Sequence, residues 1–306
     1  MERVGSLGQN YFAIVNPAAG AAKSRRLLVP ALERLRTGGI EVELAETRAP
    51  GEATQIARDA YGRGVRNFIA VGGDGTSYEV VNGLYPQALA GERPTLAFLP
   101  LGTGNSFLRE FSRNGVDYAL ESLLAARRRP CDVMRLRHRG GVIHYINLLS
   151  MGFSADVATL RARRFSHWGE LGYITAIFLT LARFHRRPFP VRVEGEADFD
   201  RRRCLFLTFS NSKFTGGTMM IAPRAEINDG LVEYVRWGPI GRLGLMRNLS
   251  GLYDGTHIQH PLAERKAVRR VEFDLDGPID VMVDGEVRTL HCEELDVLPG
   301  ALNVVA

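Results

Sequence analysis

The sequence predicts a Rossmann-like α/β domain followed by a mainly β, sandwich-like domain, and three observations carry that expectation. Up to about residue 110, short apolar runs alternate with amphipathic segments, and a loop rich in Gly, Asn, Thr or Ser follows most of the runs. After Arg127-Arg128-Arg129-Pro130 the alternation stops, and short runs enriched in β-branched and aromatic residues replace it. A chain of 306 residues is long enough for two cores, so domains are expected over 1–130 and 131–306.

The elements of the first half follow in order. YFAIV (11–15) reads as a strand leading into NPAAG (16–20), then a helix whose Leu27, Leu28, Ala31, Leu32 and Leu35 share a face until Gly38-Gly39 ends it. EVELA (41–45) leads to Thr47 and a helix carrying Ala53, Ile56, Ala57 and Ala60. FIAV (68–71) leads to GGDGT (72–76) and a helix from about Ser77, with Tyr78, Val81 and Leu84 on one side. TLAFLP (95–100) leads to LGTGNS (101–106). Strands alternating with helices make a parallel sheet covered on both faces, with ligands at the C-terminal ends of its strands.

In the second half, strands are expected over 142–149, 190–196, 203–211, 231–237, 269–276 and 279–287. Helical patterns cover 168–184 and 240–252, the latter with Ile240, Leu243, Met246 and Leu249 in register.

Composition narrows the function classes. The chain is 45% hydrophobic and 24% charged, like an ordinary soluble protein. Its longest apolar stretch, LGYITAIFLTLARF (171–184), is shorter than the roughly 20 residues that span a bilayer. MERVGSLGQNYFAIVNP has no long apolar core of the kind a secretory signal needs. Cys131, Cys204 and Cys292 are far apart and form no CxxC, which speaks against a disulfide framework and for a reducing cytoplasm. The net charge of +5 rests almost wholly on arginine, since lysine occurs only at 23, 213 and 266. Such a surface favours phosphate-bearing partners: nucleotides, nucleic acid or anionic lipid headgroups.

GGDGT carries more glycine than a tight turn needs, which suggests a ligand held close to the backbone. AAGAAKS (18–24) lacks the first glycine of a Walker A loop, and neither Gly73/Gly75 nor Gly102/Gly104 completes G-x-G-x-x-G. What is left is a strand, a glycine loop and a helix N-terminus, whose free N–H groups favour an anion. Asp74 would repel bare phosphate, so a magnesium ion or a ribose hydroxyl would lie between. A plain strand-to-helix turn capped by Thr76 or Ser77 explains the same residues.

NPAAG, GGDGT and PLGTGNS, in this order and each after a strand, resemble the catalytic domain of the diacylglycerol kinase superfamily of lipid kinases, which includes sphingosine and ceramide kinases. PRAEINDGLVEYV (223–235) resembles the family's P-x-A-x-x-x-D-G pattern, and VDGE (283–286) resembles its D-G-E. The bacterial soluble branch looks most similar. The resemblance implies an NAD-kinase/diacylglycerol-kinase type of α/β domain that binds ATP through Asn16, Pro17, Gly20, Thr47, Gly72, Gly73, Asp74, Gly75, Thr76, Glu79, Thr103 and Asn105. It implies Glu286 as the base that takes the proton of the acceptor hydroxyl. Glu226, Asp229 and the backbone of Leu231 match a structural magnesium site of some members. Asp284 and Glu286, two apart on an expected strand, would point to one side and share base and metal tasks with Asp74. DGE standing alone reads as an exposed hairpin turn. ATP and Mg²⁺ are thus the expected cofactors, with a lipid acceptor, peripheral membrane contact and no nucleic acid; a homodimer is compatible with the sequence. The expected location is the cytoplasm, at the membrane periphery.

Two departures from the family pattern stand out: Ser106 where many bacterial members have Asp, and Ala21 where many have Lys. A kinase of a soluble metabolite, as in NAD kinases with their similar GGDGT, and a non-catalytic lipid-binding protein are the other readings. SNSK (210–213) matches S-x-x-K without its companion motifs, and HIQH (257–260) lacks a third metal ligand and reads as a solvated loop. RARRFSHW (161–168) and ARFHRR (182–187) mix arginine with aromatics, as a membrane-facing segment or a core helix with charged ends does.

Overall fold

A computed structural model of the chain describes residues 9–102, 105–165, 172, 175, 176, 179–181 and 186–306. They form two units, residues 1–131 with 300–306 and residues 132–299.

In the first unit the alternation of apolar and amphipathic segments becomes β1 (Gln9–Val15), α1 (Ala21–Thr37), β2 (Ile40–Glu46), α2 (Glu52–Gly62), β3 (Asn67–Gly72), α3 (Asp74–Leu84), β4 (Thr95–Pro100) and α4 (Gly115–Leu124). The strands are parallel in the order β2–β1–β3–β4, with Phe12 opposite Phe68 and Asn67 opposite Thr95. Residues 303–305 add one more parallel strand beside β4. Tyr11, Ala13, Val15, Ile69, Val71, Ala97 and Leu99 pack with Ala31 and Leu35 of α1 and with Leu120 and Leu123 of α4. Each fully buried leucine of this kind stabilises the unit by about 1.5–3 kcal/mol. Strand order reverses between β1 and β3, and in open α/β sheets that reversal opens the crevice where ligands bind. α3 starts at Asp74, three residues earlier than the sequence suggests. The cause is Gly73, whose extended backbone lets its carbonyl take the N–H groups of Thr76 and Ser77 at 3.0 and 3.2 Å.

The second unit holds β5 (Arg128–His138, which starts in the first), β6 (Gly141–Tyr145), β7 (Leu148–Gly152), α5 (Phe153–Arg164), β8 (Arg187–Pro188), β9 (Val191–Val193), β10 (Arg203–Cys204), β11 (Phe206–Ser210), β12 (Phe214–Thr215), β13 (Met219–Met220), β14 (Val232–Trp237), α6 (Arg242–Asn248), α7 (Gly251–Asp254), β15 (Ala263–Val268), β16 (Arg270–Phe273), β17 (Ile279–Val283), β18 (Glu286–Leu290) and the start of β19 (Cys292–Val305). Six strands make an antiparallel sheet in the order β15–β14–β11–β7–β17–β18. One side of it is closed by Phe153, Ala155 and Val157 of α5 with Leu245 and Leu252, packed on Phe206, Trp237 and Met282. On the other side Phe209 of β11 meets Phe273 of β16 edge-on, ring centres 5.3 Å apart, which joins the two layers of the β-sandwich. The strand expected over 279–287 is two strands, split by Asp284-Gly285. The helix expected over 168–184 lies largely outside the described residues.

Candidate active site

Three loops meet at the C-terminal ends of β1, β3 and β4. The Asn16 N–H donates to Val71 O at 3.0 Å, and its side-chain Oδ1 accepts the Ala18 N–H at 3.0 Å, which turns the chain at Pro17. Gly20, at φ +74°, precedes α1, and a Cβ there would stand 2.1 Å from Leu101 O. Thr47 is buried after β2, with its N–H and hydroxyl both donating to Val15 O. The Gly102 N–H donates to Gly72 O at 2.9 Å, and a Cβ on Gly102 would lie 2.7 Å from Gly73 N. The glycines at 20, 72 and 102 therefore let neighbouring backbones or the Thr76 side chain come close, a packing reason that the ligand reading of the glycine excess did not contain. Asn105 closes its own loop by donating from Nδ2 to Gly102 O at 2.9 Å. Thr103 lies outside the described residues.

Asp74 braces these loops. Its carboxylate accepts the N–H of Ser106 at 2.9 Å and that of Phe107 at 3.4 Å, tying the start of α3 to the loop after β4. Desolvation pushes its carboxyl above the usual carboxylate range, and the bonds from Ser106 and Phe107 pull partly against that shift. The bonds from Ser106 come from both its backbone and its hydroxyl, so an Asp at 106 would set a second carboxylate against the first. This brace makes Asp74 part of what holds the fold together.

Glu79 also has a structural task. Its two oxygens accept Gly51 N–H at 2.8 Å and Ala53 N–H at 3.1 Å, capping α2 in place of a side-chain N-cap. The Thr76 hydroxyl is buried with no partner among the described residues.

In the second unit, Asp284 and Gly285 form a two-residue hairpin turn at φ +47° and +87°, with Val283 opposite Glu286. Asp284 and Glu286 are therefore not neighbours on one face of a strand. The Asp284 carboxylate, 2% exposed, accepts the N–H groups of Ile146, Asn147 and Leu148 at 3.1, 3.0 and 2.9 Å, and its own N–H donates to Leu148 O at 2.9 Å. Glu286 is half-buried and opens β18 straight after this locked turn.

Beneath the turn, Asn211 Nδ2 donates to Asp132 O and Ile146 O, and the Ser212 hydroxyl donates to Asn147 Oδ1 at 2.5 Å. Sequence reasoning missed this support. SNSK was its only trace, and its fully buried Asn211 and Ser212 are what matter, in a role unrelated to S-x-x-K chemistry.

Glu226 and Asp229 are exposed, and Asp229 Oδ1 accepts the Leu231 N–H at 2.9 Å. Desolvation raises the Asp229 carboxyl first, and the charges of Asp132 and Glu226 add to the shift. Carboxylates that repel one another suit a hard cation such as Mg²⁺ in donor type. Among the described residues, however, no three His, Cys, Asp or Glu side chains gather as a metal group. HIQH is no solvated loop: His257 is 2% exposed, with Nδ1 and Nε2 on the carbonyls of Gly251 and Ile221 and its ring beside Trp237.

The family model for the diacylglycerol kinase catalytic domain matches residues 10–136, and that for the YegS C-terminal NAD kinase beta sandwich-like domain matches 147–306. The chain belongs to the diacylglycerol kinase/YegS-like lipid kinase family. Curated relatives agree with this family assignment. A protein named diacylglycerol kinase of Bacillus subtilis (strain 168) is 29% identical over 94% of this chain and 95% of its own length. One named "Probable lipid kinase YegS-like" of Chromohalobacter salexigens is 30% identical over 90% and 87%. Among solved structures, one from Bacillus anthracis str. Sterne superposes at TM-score 0.80 with 21% identity over 100% of this chain and 98% of that one, which shows that the two share a fold.

Proposed function

We propose that this chain is an ATP- and Mg²⁺-dependent lipid kinase that phosphorylates a hydroxyl of a diacylglycerol-like or sphingoid- or ceramide-like acceptor at a membrane surface. The observation that carries the reading is the braced cradle at the strand-order reversal: three glycine-bearing loops held together by backbone bonds and by Asp74, in a chain of this lipid kinase family.

Asn16, Pro17, Gly20, Thr47, Gly72 to Thr76, Thr103 and Asn105 would line the nucleotide site. Backbone amides and the N-terminus of α3 would stabilise negative charge on the phosphates as it shifts during transfer. Asp74 would keep the cradle's shape rather than touch phosphate directly, and Glu79 would act through α2. Glu286, set by the rigid hairpin, would take the proton from the acceptor hydroxyl as the new bond to phosphorus forms. Glu226, Asp229 and the Leu231 backbone are the residues that would hold a structural Mg²⁺. When bound with ATP, Mg²⁺ supplies charge neutralisation on the transferred phosphoryl group.

The test is incubation of the purified protein with labelled ATP, Mg²⁺ and a total lipid extract, followed by identification of the labelled product. A labelled lipid is expected. Transfer to NAD with none to lipid would move the chain to a soluble-metabolite kinase.

A further inference from the structure

The segment 240–252, expected as one amphipathic helix, presents a second surface that the catalytic reading does not use. Leu249 and Ser250 keep helical backbone angles between α6 and α7, so residues 242–254 form one helical stretch. Its inner side holds Leu245, Gly251 and Leu252, all buried. Its outer side carries Arg242, Leu243, Met246, Arg247, Ser250 and Tyr253, all exposed and recurring at helical spacing. Leu243 is 71% exposed, Met246 53% and Tyr253 44%, so Leu243 and Met246 face outward and do not share the core side that the periodicity suggested.

Single exposed apolar residues are ordinary, but three on one helical stripe are not. The charges beside them set the partner. Arg242, Arg247 and Arg186, whose Nη2 stands 3.4 Å from where a Gly241 Cβ would be, form no ion pair among the described residues. Other arginines of this unit, such as Arg187, Arg201, Arg202 and Arg265, are paired with carboxylates. The acid on the stripe, Asp254, is engaged by the N–H and hydroxyl of Thr256.

We infer that the outer face of residues 242–254 docks on an anionic lipid bilayer. The inference rests on the lipid-kinase reading for its purpose, though not for its geometry. Leu243 and Met246 enter the acyl region, Tyr253 sits at the headgroup level, and Arg186, Arg242 and Arg247 meet lipid phosphate. A second copy of the chain fits less well. Three such side chains expose on the order of 300 Å², short of the roughly 800 Å² per partner of a stable interface.

The experiment is vesicle flotation of the wild-type chain and of two variants, Arg242→Gln/Arg247→Gln and Leu243→Ser/Met246→Ser. Vesicles are phosphatidylcholine with or without phosphatidylglycerol. Phosphorylation of lipid dispersed in detergent micelles is measured in parallel. The wild type should bind anionic vesicles far more tightly than neutral ones, and the arginine pair should weaken binding to the anionic vesicles roughly 25-fold, about fivefold per charge removed. The apolar pair should remove the binding that survives high salt. Micellar turnover should stay at the wild-type rate in both.

Unchanged flotation of both variants overturns the proposal, as does a shift from dimer to monomer with flotation intact, which would make the stripe a contact between copies. If the wild type floats but phosphorylates no lipid in micelles, the kinase reading fails and the docking face stands. Should the double variants misfold, Leu243→Trp with bromine-labelled lipid gives the answer alone: quenching of the added fluorescence supports insertion, and none refutes it.

Discussion

The most discriminating single substitution is Asp284→Asn. In the wild type one carboxylate satisfies three buried amides, those of Ile146, Asn147 and Leu148. Asparagine keeps Oδ1 for Asn147 and Leu148 but turns an NH₂ toward the Ile146 N–H, so one bond becomes a contact between two donors. Leaving a buried donor unmet costs about 1–3 kcal/mol. Asparagine tolerates the left-handed backbone that the turn needs at φ +47°, so strain adds little. Alanine would lose all three bonds and add about 1–2 kcal/mol of backbone strain.

For a unit of this size each kcal/mol lowers the melting temperature by about 2–4 °C, so Asp284→Asn should melt roughly 2–12 °C lower. The assay pairs thermal melting by circular dichroism with lipid phosphorylation well below the transition. Lower stability with measurable turnover and an unchanged KM for ATP is expected. Wild-type melting with abolished turnover would refute the clamp and return Asp284 to the chemistry.

Glu286→Gln should lower turnover by about 10²–10⁴-fold with melting and nucleotide affinity near wild type; full turnover would remove Glu286 as the base. Gly102→Ala places a Cβ 2.7 Å from Gly73 N, so the loops must part; a loss of about 1–3 kcal/mol with weakened nucleotide binding is expected, read by melting and ATP titration. Asp74→Asn should lower the melting temperature, because one oxygen of the brace between α3 and residues 106–107 becomes a donor, and melts at neutral pH check it.

His144, 2% exposed, has its pKa pushed down to about 4 by burial, with the Arg135 charge adding to the shift. The unfolded chain takes up the proton first, near 6.5, so stability from this group is full above pH 6.5 and falls as pH drops toward 4. The loss is on the order of 3 kcal/mol, and urea melts across that range should show a slope that His144→Gln flattens.

The first unit was legible because its physics is local. Periodicity placed α1 with Ala31 and Leu35 inward, and each apolar run before a glycine loop became a strand of the parallel sheet. GGDGT and PLGTGNS do follow strands, as expected, and Gly72 and Gly102 there allow close approach of backbone and of Thr76, a packing task that composition alone does not reveal. The roles of Asp74 and Glu79 were hidden because their partners, residues 106–107 and 51–53, are distant in sequence. Asp284 misled because alternation along 279–287 suggests one strand, whereas Asp-Gly with positive φ at both residues makes a hairpin. The run CEELDVLPGALNVVA went unread as a strand because Pro299-Gly300 resembles a break, yet β19 continues through it.

That continuation has a consequence for how the protein is made. Residues 303–305 lie beside β4, although the whole second unit separates them along the chain. On the ribosome the first 131 residues emerge with β4 as an open edge, and the strand that covers it comes about 170 residues later, roughly 10–35 s at ordinary elongation rates. During that interval the half of the molecule made first waits on the half made last, with an unpaired strand of TLAFLP exposed to other nascent chains.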